Sequence, residues 1–222
     1  MTDFVLIPGA CHGGWCFDGL AEDLRARGHR VLHPTLTGIA ERSHLSHAGV
    51  NLETHIADVL AELSAHRVTN AVLAGHSYGG MVITAVADRM PERIDSLVYI
   101  DALVPRDGES CWDIVDDEMR QWYLDVDDTG YGVRPMTFFD TRATPHPLAS
   151  LLQPIRLDGD INGFRRRDFV YALGWPGQSP LRRSYERVRD DPHWHVHELE
   201  GSHNLMRDNA AGLLSILADS AP

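Results

Sequence analysis

Apolar residues fall along this chain in two alternating rhythms. "DFVLIPG" is a nearly unbroken apolar run. "FDGLAEDLRARGH" then spaces Phe17, Leu20, Ala21 and Leu24 along one helical face. "RVLHPTLTG" is a second extended run that passes into a loop. "NLETHIADVLAELSAH" places Leu52, Ile56, Val59, Leu60 and Leu63 at helical spacing, with Asn51 as its N-cap. "TNAVLAG" predicts a third strand, and "GMVITAVADRM" a helix stopped by Pro91. "SLVYIDALVP", "DFVYALG" and "HWHVHELEG" complete six predicted strands. Helices are predicted near "PLRRSYERVRDD" and over "DNAAGLLSILADS". Strands that alternate with helices imply an α/β architecture, a mostly parallel sheet with helices on both faces.

The alternation fails once. From about Val104 to Arg167 there is no clean strand, but acidic turns, prolines and aromatics: Trp112, Trp122, Tyr123, Tyr131, Phe138 and Phe139. An irregular segment of that length inside a compact fold is usually functional. It is expected to be a lid, inserted at about 104–167 into a single domain spanning 1–222, that shapes an apolar pocket.

Composition narrows the function classes. The 222 residues suit one large domain, and 43% hydrophobic with 23% charged is ordinary for a globular chain. The formal net charge of −12 repels phosphate backbones, so neither nucleic acid nor an anionic membrane is an expected partner. No apolar run approaches the ~20 residues of a membrane span. The start "MTDFVLIPGACHGG" runs straight into a strand without a basic region, unlike a signal peptide, which makes the cytoplasm the expected location. Three cysteines without metal spacing (Cys11, Cys16 and Cys111) argue against a disulfide framework. Oligomeric state is not legible.

The chemistry concentrates in "VLAGHSYGGM". Gly75, His76, Ser77, Tyr78 and Gly79 form G-x-S-x-G between a predicted strand and a predicted helix, the setting this motif needs. A hydroxyl is a poor nucleophile unless it is exposed, aimed and next to a base. A sharp strand-to-helix turn lifts Ser77 above the sheet edge. Gly75 and Gly79 let the backbones pass closely, and the helix N-terminus offers free N–H groups to a developing oxyanion.

With "FVLIPGACHGGWC", "HPTLTGIAERSHL" and "LVYIDALVPRDGES", this motif resembles the α/β-hydrolase superfamily. The resemblance is to the branch that holds plant methylesterases, hydroxynitrile lyases and bacterial esterase-like proteins, and it is weakest in the lid. It implies a Ser, acid, His order along the chain. "HELEGSHNLM" places His203 where the base belongs, before the closing helix. The loop "PGACHGGW" supplies one oxyanion donor, Ala10 or Cys11, and Tyr78 the other. Pro8-Gly9 stands where the superfamily usually has His-Gly. Gly9 and Asn204 replace a threonine and a lysine of the hydroxynitrile lyases, which favours hydrolysis.

The triad acid, usually after the penultimate strand, is missing from "YALGWPGQSPLRR". Asp101, at the end of the preceding strand, is the expected replacement, with Asp107 and Glu109 as substitutes. The expected reaction is serine hydrolysis of small to medium apolar carboxylic esters without metal or organic cofactor. A lyase, cyclase or cofactor-free oxygenase, or a slow-turnover receptor, would use the same residues. His193, His195 and His197 at period two offer a weaker metal reading, and "DVDDTG" mimics a calcium loop whose twelfth position is Met136.

Overall fold

The computed structural model describes residues 1–159 and 161–222. In chain order, β1 (Asp3–Ile7), α1 (Asp18–Ala26), β2 (Arg30–Leu32), α2 (Leu52–Ala65), β3 (Ala71–His76), α3 (Gly79–Arg89) and β4 (Ile94–Ile100) alternate as predicted. The connection that follows carries α4 (Cys111–Ile114), α5 (Asp117–Tyr123), β5 (Gly132–Val133), β6 (His146–Pro147) and α6 (Leu148–Leu152). The alternation resumes with β7 (Arg166–Ala172), α7 (Arg182–Val188), β8 (His195–Leu199), α8 (Leu205–Asp208) and α9 (Ala210–Asp219).

The main sheet has six strands in the order β2-β1-β3-β4-β7-β8, and every pairing is parallel. Because side chains alternate across a strand, each apolar run feeds two cores. Phe4 and Leu6 join Val72, Ala74, Val98 and Ile100 under α1 and α9. Val5 and Ile7 join Leu73, Leu97 and Tyr99 under α2 and α3. Burial on both faces is the reason these strands read as continuous apolar runs. Each fully buried Leu, Ile, Val or Phe contributes about 1.5–3 kcal/mol of transfer free energy.

Local signals also act as predicted. Asn51 caps α2 by accepting the Thr54 N–H at 3.1 Å. α3 ends at Arg89, two residues before Pro91. The connection between β4 and β7 differs in detail from the expected strandless insertion of 104–167. β5 and β6 pair antiparallel across two residues each, and β7 begins at Arg166, within the expected insertion. A two-residue pairing leaves no periodicity in the sequence, so it could not be read there. Among the described residues no helix is long and apolar enough to cross a membrane.

Candidate active site

Parallel strands end together, so loops distant in sequence meet at the carboxyl edge of the sheet. Ser77 follows β3 and has φ of 53°. A left-handed non-glycine residue costs on the order of 1–3 kcal/mol and persists only where its surroundings enforce it. Here the Ser77 N–H donates to the Ile100 carbonyl at 3.2 Å, and the Ser77 carbonyl accepts from Leu103 N–H at 3.1 Å. The flanking glycines leave room for the turn. A Cβ at Gly75 would lie 2.6 Å from the Gly79 oxygen, and one at Gly79 would lie 2.6 Å from the Ile7 oxygen. Both contacts are with backbone, so no rotamer change could relieve them.

Asp101 follows β4 and is also left-handed, at φ 39°. Its carboxylate is fully buried, where an unpaired charge would be costly. Three donors surround it: His203 Nδ1–H at 2.7 Å, Trp175 Nε1–H at 2.9 Å and Ala172 N–H at 3.3 Å. An ionised carboxylate only accepts, so the neutral His203 carries its proton on Nδ1 and keeps the Nε2 lone pair free. Asp101 is therefore the carboxylate that reaches His203. The two substitutes are engaged elsewhere. Asp107 accepts from Leu157 N–H, and Glu109 forms a two-point pair with Arg187 at 2.6 Å.

Trp175 lies in "YALGWPGQSPLRR", the segment that lacks a carboxylate. In place of an acid, that loop sends an indole N–H to Asp101, and the indole lies 4.9 Å from the His203 ring. Sequence reading missed this role. The one available signal was a tryptophan in the position range where an acid was expected. His76 was missed as well. Its Nε2–H donates to the His203 carbonyl at 2.9 Å, and the two rings lie 4.4 Å apart. Among the described residues its Nδ1 is buried without a partner, and burial followed by the nearby His203 pushes its pKa well below the usual histidine value.

Across the edge, the loop after β1 approaches the same place. A Cβ on Gly9 would lie 2.9 Å from Ser77 Cβ, which shows how closely the two loops pass. The Cys11 N–H is committed to His146 Nδ1 at 3.2 Å. Among the described residues the Ala10 and Tyr78 N–H groups have no hydrogen-bond partner. Of the two donors open for that loop, Ala10 is thus the one left uncommitted. His12 donates Nδ1–H to the Ala10 carbonyl at 2.8 Å and packs 4.9 Å from Phe139, which in turn touches Phe138 and Trp122. Burial, ahead of smaller charge effects, lowers the His12 pKa.

Of the three histidines near the last strand, only His195 and His197 lie two apart within it. His193 precedes β8 and pairs with Asp191 at 2.9 Å, while His197 pairs with Asp168 at 2.7 Å. Among the described residues no group of three His, Cys, Asp or Glu side chains has metal-binding geometry. The "DVDDTG" turn ties Asp127 to Thr129 and Asp128 to Arg134, at the surface.

A carbendazim hydrolyzing esterase of Nocardioides sp. (strain SG-4G) is 38% identical over 240 aligned positions, covering 98% of this chain and 99% of that protein. A pyrethroid hydrolase of Sphingobium wenxiniae is 31% identical, covering 80% of this chain and 57% of its own length. In three dimensions, an extracellular alpha/beta-hydrolase from a Paenibacillus species superposes with a TM-score of 0.80 at 21% identity, covering 100% and 99% of the two chains. Arabidopsis methylesterase MES16 superposes with a TM-score of 0.75 at 19% identity, covering 99% and 98%. Residues 4–215 match the alpha/beta hydrolase family, and the chain belongs to it.

Proposed function

We propose that the protein is a serine hydrolase of carboxylic esters, with Ser77, His203 and Asp101 as its triad and the Ala10 and Tyr78 N–H groups as its oxyanion hole. One observation carries the reading. The buried Asp101 carboxylate holds His203 by Nδ1–H at 2.7 Å, at the same sheet edge as the left-handed Ser77. The names of the Nocardioides and Sphingobium relatives support ester cleavage as the reaction.

The chemistry follows from the proton positions. His203 Nε2 takes the Ser77 proton as Oγ attacks the acyl carbon, and Asp101 stabilises the resulting imidazolium without itself being protonated. The carbonyl π electrons move onto oxygen, where the two N–H groups receive the negative charge. Collapse expels the alcohol, which takes its proton from His203 and leaves an acyl-Ser77 ester. A water activated by the same imidazole reverses these steps and releases the acid. No step needs a metal or organic cofactor. The β4–β7 connection acts as the lid, and Phe139 and Trp122 form an apolar wall next to His12.

The test uses Ser77→Ala. A fluorophosphonate should label the wild-type chain and not the variant. Turnover of p-nitrophenyl esters should fall by about 10⁴-fold or more. A loss below about tenfold would overturn Ser77 as nucleophile.

A further inference from the structure

The peptide unit between Ala10 and Cys11 is held on both sides by histidines. Its carbonyl accepts from His12 Nδ1–H at 2.8 Å, and its N–H donates to His146 Nδ1 at 3.2 Å. His146 comes from β6 in the β4–β7 connection, 135 residues away in sequence, and is fully buried. The next carbonyl, that of Cys11, accepts from Thr144 N–H at 3.1 Å in the same connection. Between these bonds Cys11 sits at φ 67°, a left-handed conformation that a non-glycine residue rarely adopts without enforcement.

The proton positions on His146 are determined by its neighbours. Ser150 Oγ lies 2.7 Å from the Pro147 carbonyl, which can only accept, so the hydroxyl proton points there. The same oxygen therefore accepts from His146 Nε2–H at 2.9 Å. That leaves Nδ1 bare, as the Cys11 N–H requires. The His146 ring also packs edge-on against Tyr78, with centroids 4.7 Å apart and planes at 72°. One side chain thus touches Cys11, which follows Ala10, and the side chain of Tyr78; the N–H groups of Ala10 and Tyr78 are those proposed for the oxyanion hole.

We propose that His146 is a positioning residue. Its Nδ1 acceptor pins the Ala10–Cys11 peptide, and so anchors the loop that carries the adjoining Gly9–Ala10 peptide, whose N–H faces the developing oxyanion. The proposal rests on the hydrolase reading given above. Without that acceptor the Cys11 N–H is buried and unpaired, and the loop gains by rotating the peptide away from φ 67°. The cost falls on the transition state, because the oxyanion forms only there.

The experiment measures kcat and KM for p-nitrophenyl butyrate in the full chain, with thermal melts, for His146→Leu, His146→Gln, His146→Asn and Ser150→Ala. His146→Leu should lower kcat by about 100-fold, the scale of one lost oxyanion donor, with KM within about threefold. His146→Gln places its amide at the Nε2 end, keeps the Ser150 bond, and should resemble Leu. His146→Asn places Oδ1 where Nδ1 stood and should recover kcat to within about tenfold of wild type.

A role in filling space alone gives the opposite ranking, since Asn is the smallest of the three. Asn no better than Leu and Gln, in a wild type that turns over the ester, overturns the His146 proposal and leaves the hydrolase reading standing. A wild type with neither ester turnover nor fluorophosphonate labelling overturns both. If the Leu and Gln variants fail to fold, Ser150→Ala decides. It removes the acceptor that holds the tautomer, so kcat should fall several-fold at unchanged KM, and an unchanged kcat overturns the proposal.

Discussion

Two His–Asp pairs in this fold have the same length. His203 Nδ1 is 2.7 Å from Asp101, and His197 Nε2 is 2.7 Å from Asp168. Both carboxylates are fully buried. They differ in what else surrounds the charge. Asp168 lies within β7 and is met by the Arg166 guanidinium at 2.7 and 2.8 Å and by the Ser220 hydroxyl at 2.9 Å. Its charge is neutralised on the spot, and nothing remains for a reacting group. Asp101 lies just past the end of β4 and is met by neutral donors and His203. Its negative charge is solvated but not cancelled, so it still favours a positive charge on the imidazole. Distance alone therefore does not separate the proposed catalytic pair from the other. The missing cation and the position at the carboxyl edge make the difference.

Substitution at each aspartate separates the two cases. Asp101→Asn should keep the fold, because asparagine tolerates the left-handed φ at this position. It should cut kcat by about 10³–10⁴-fold by favouring the wrong His203 tautomer. Steady-state kinetics with p-nitrophenyl butyrate would measure this, and full activity would leave a Ser-His dyad. Asp168→Asn should behave inversely. Denaturant melts should show a loss of about 3 kcal/mol, since Arg166 is left without its anion, while kcat of the folded protein stays near wild type. A catalytic loss without a stability loss at Asp168 would erase the distinction.

A smaller effect is expected in acid. Burial raises the Asp168 pKa, but the bonds from His197 and Arg166 outweigh it and hold the group below the usual carboxylate value. The folded state then binds this proton more weakly than the unfolded chain does. The stabilisation is complete above the unfolded value near pH ~3.9 and is lost as pH falls through the lower folded value. Melts of wild type and Asp168→Asn should therefore converge as pH drops below about 4. Parallel curves down to pH ~2 would contradict the assignment. The smallest expected effect is that of chelation. His197 and His193 already spend ring nitrogens on Asp168 and Asp191, so EDTA should leave ester turnover unchanged. A loss restored by zinc would return the histidines near β8 to the mechanism.

How much of this was legible depends on the range of the interaction. Asn51, Pro91 and Gly75 act on their own few residues of chain, and each does what its local chemistry predicts, whereas Gly79 makes room for the Ile7 carbonyl of β1. The six strands were readable because burial on both faces makes their apolar runs continuous. Asp101 was readable once "YALGWPGQSPLRR" proved empty of acids, since a carboxylate closing an apolar strand needs a partner. The β5–β6 pair was not readable, because two residues carry no period.

The sequence by itself determined the α/β order and the elbow at Ser77, which follow from local pattern, and the candidacy of His203, which follows from the chain order the resemblance implies. Only the tertiary structure decided which of Asp101, Asp107 and Glu109 meets His203, and that Trp175 supports that acid from the next loop. Only it distinguished His203 from His197, and brought His146 to the Cys11 N–H across 135 residues. A hydrogen bond between side chains far apart in sequence needs two backbones brought within 3 Å or so in the right orientation. That placement is set by the packing of the whole sheet and its connections, and no short stretch of sequence records it.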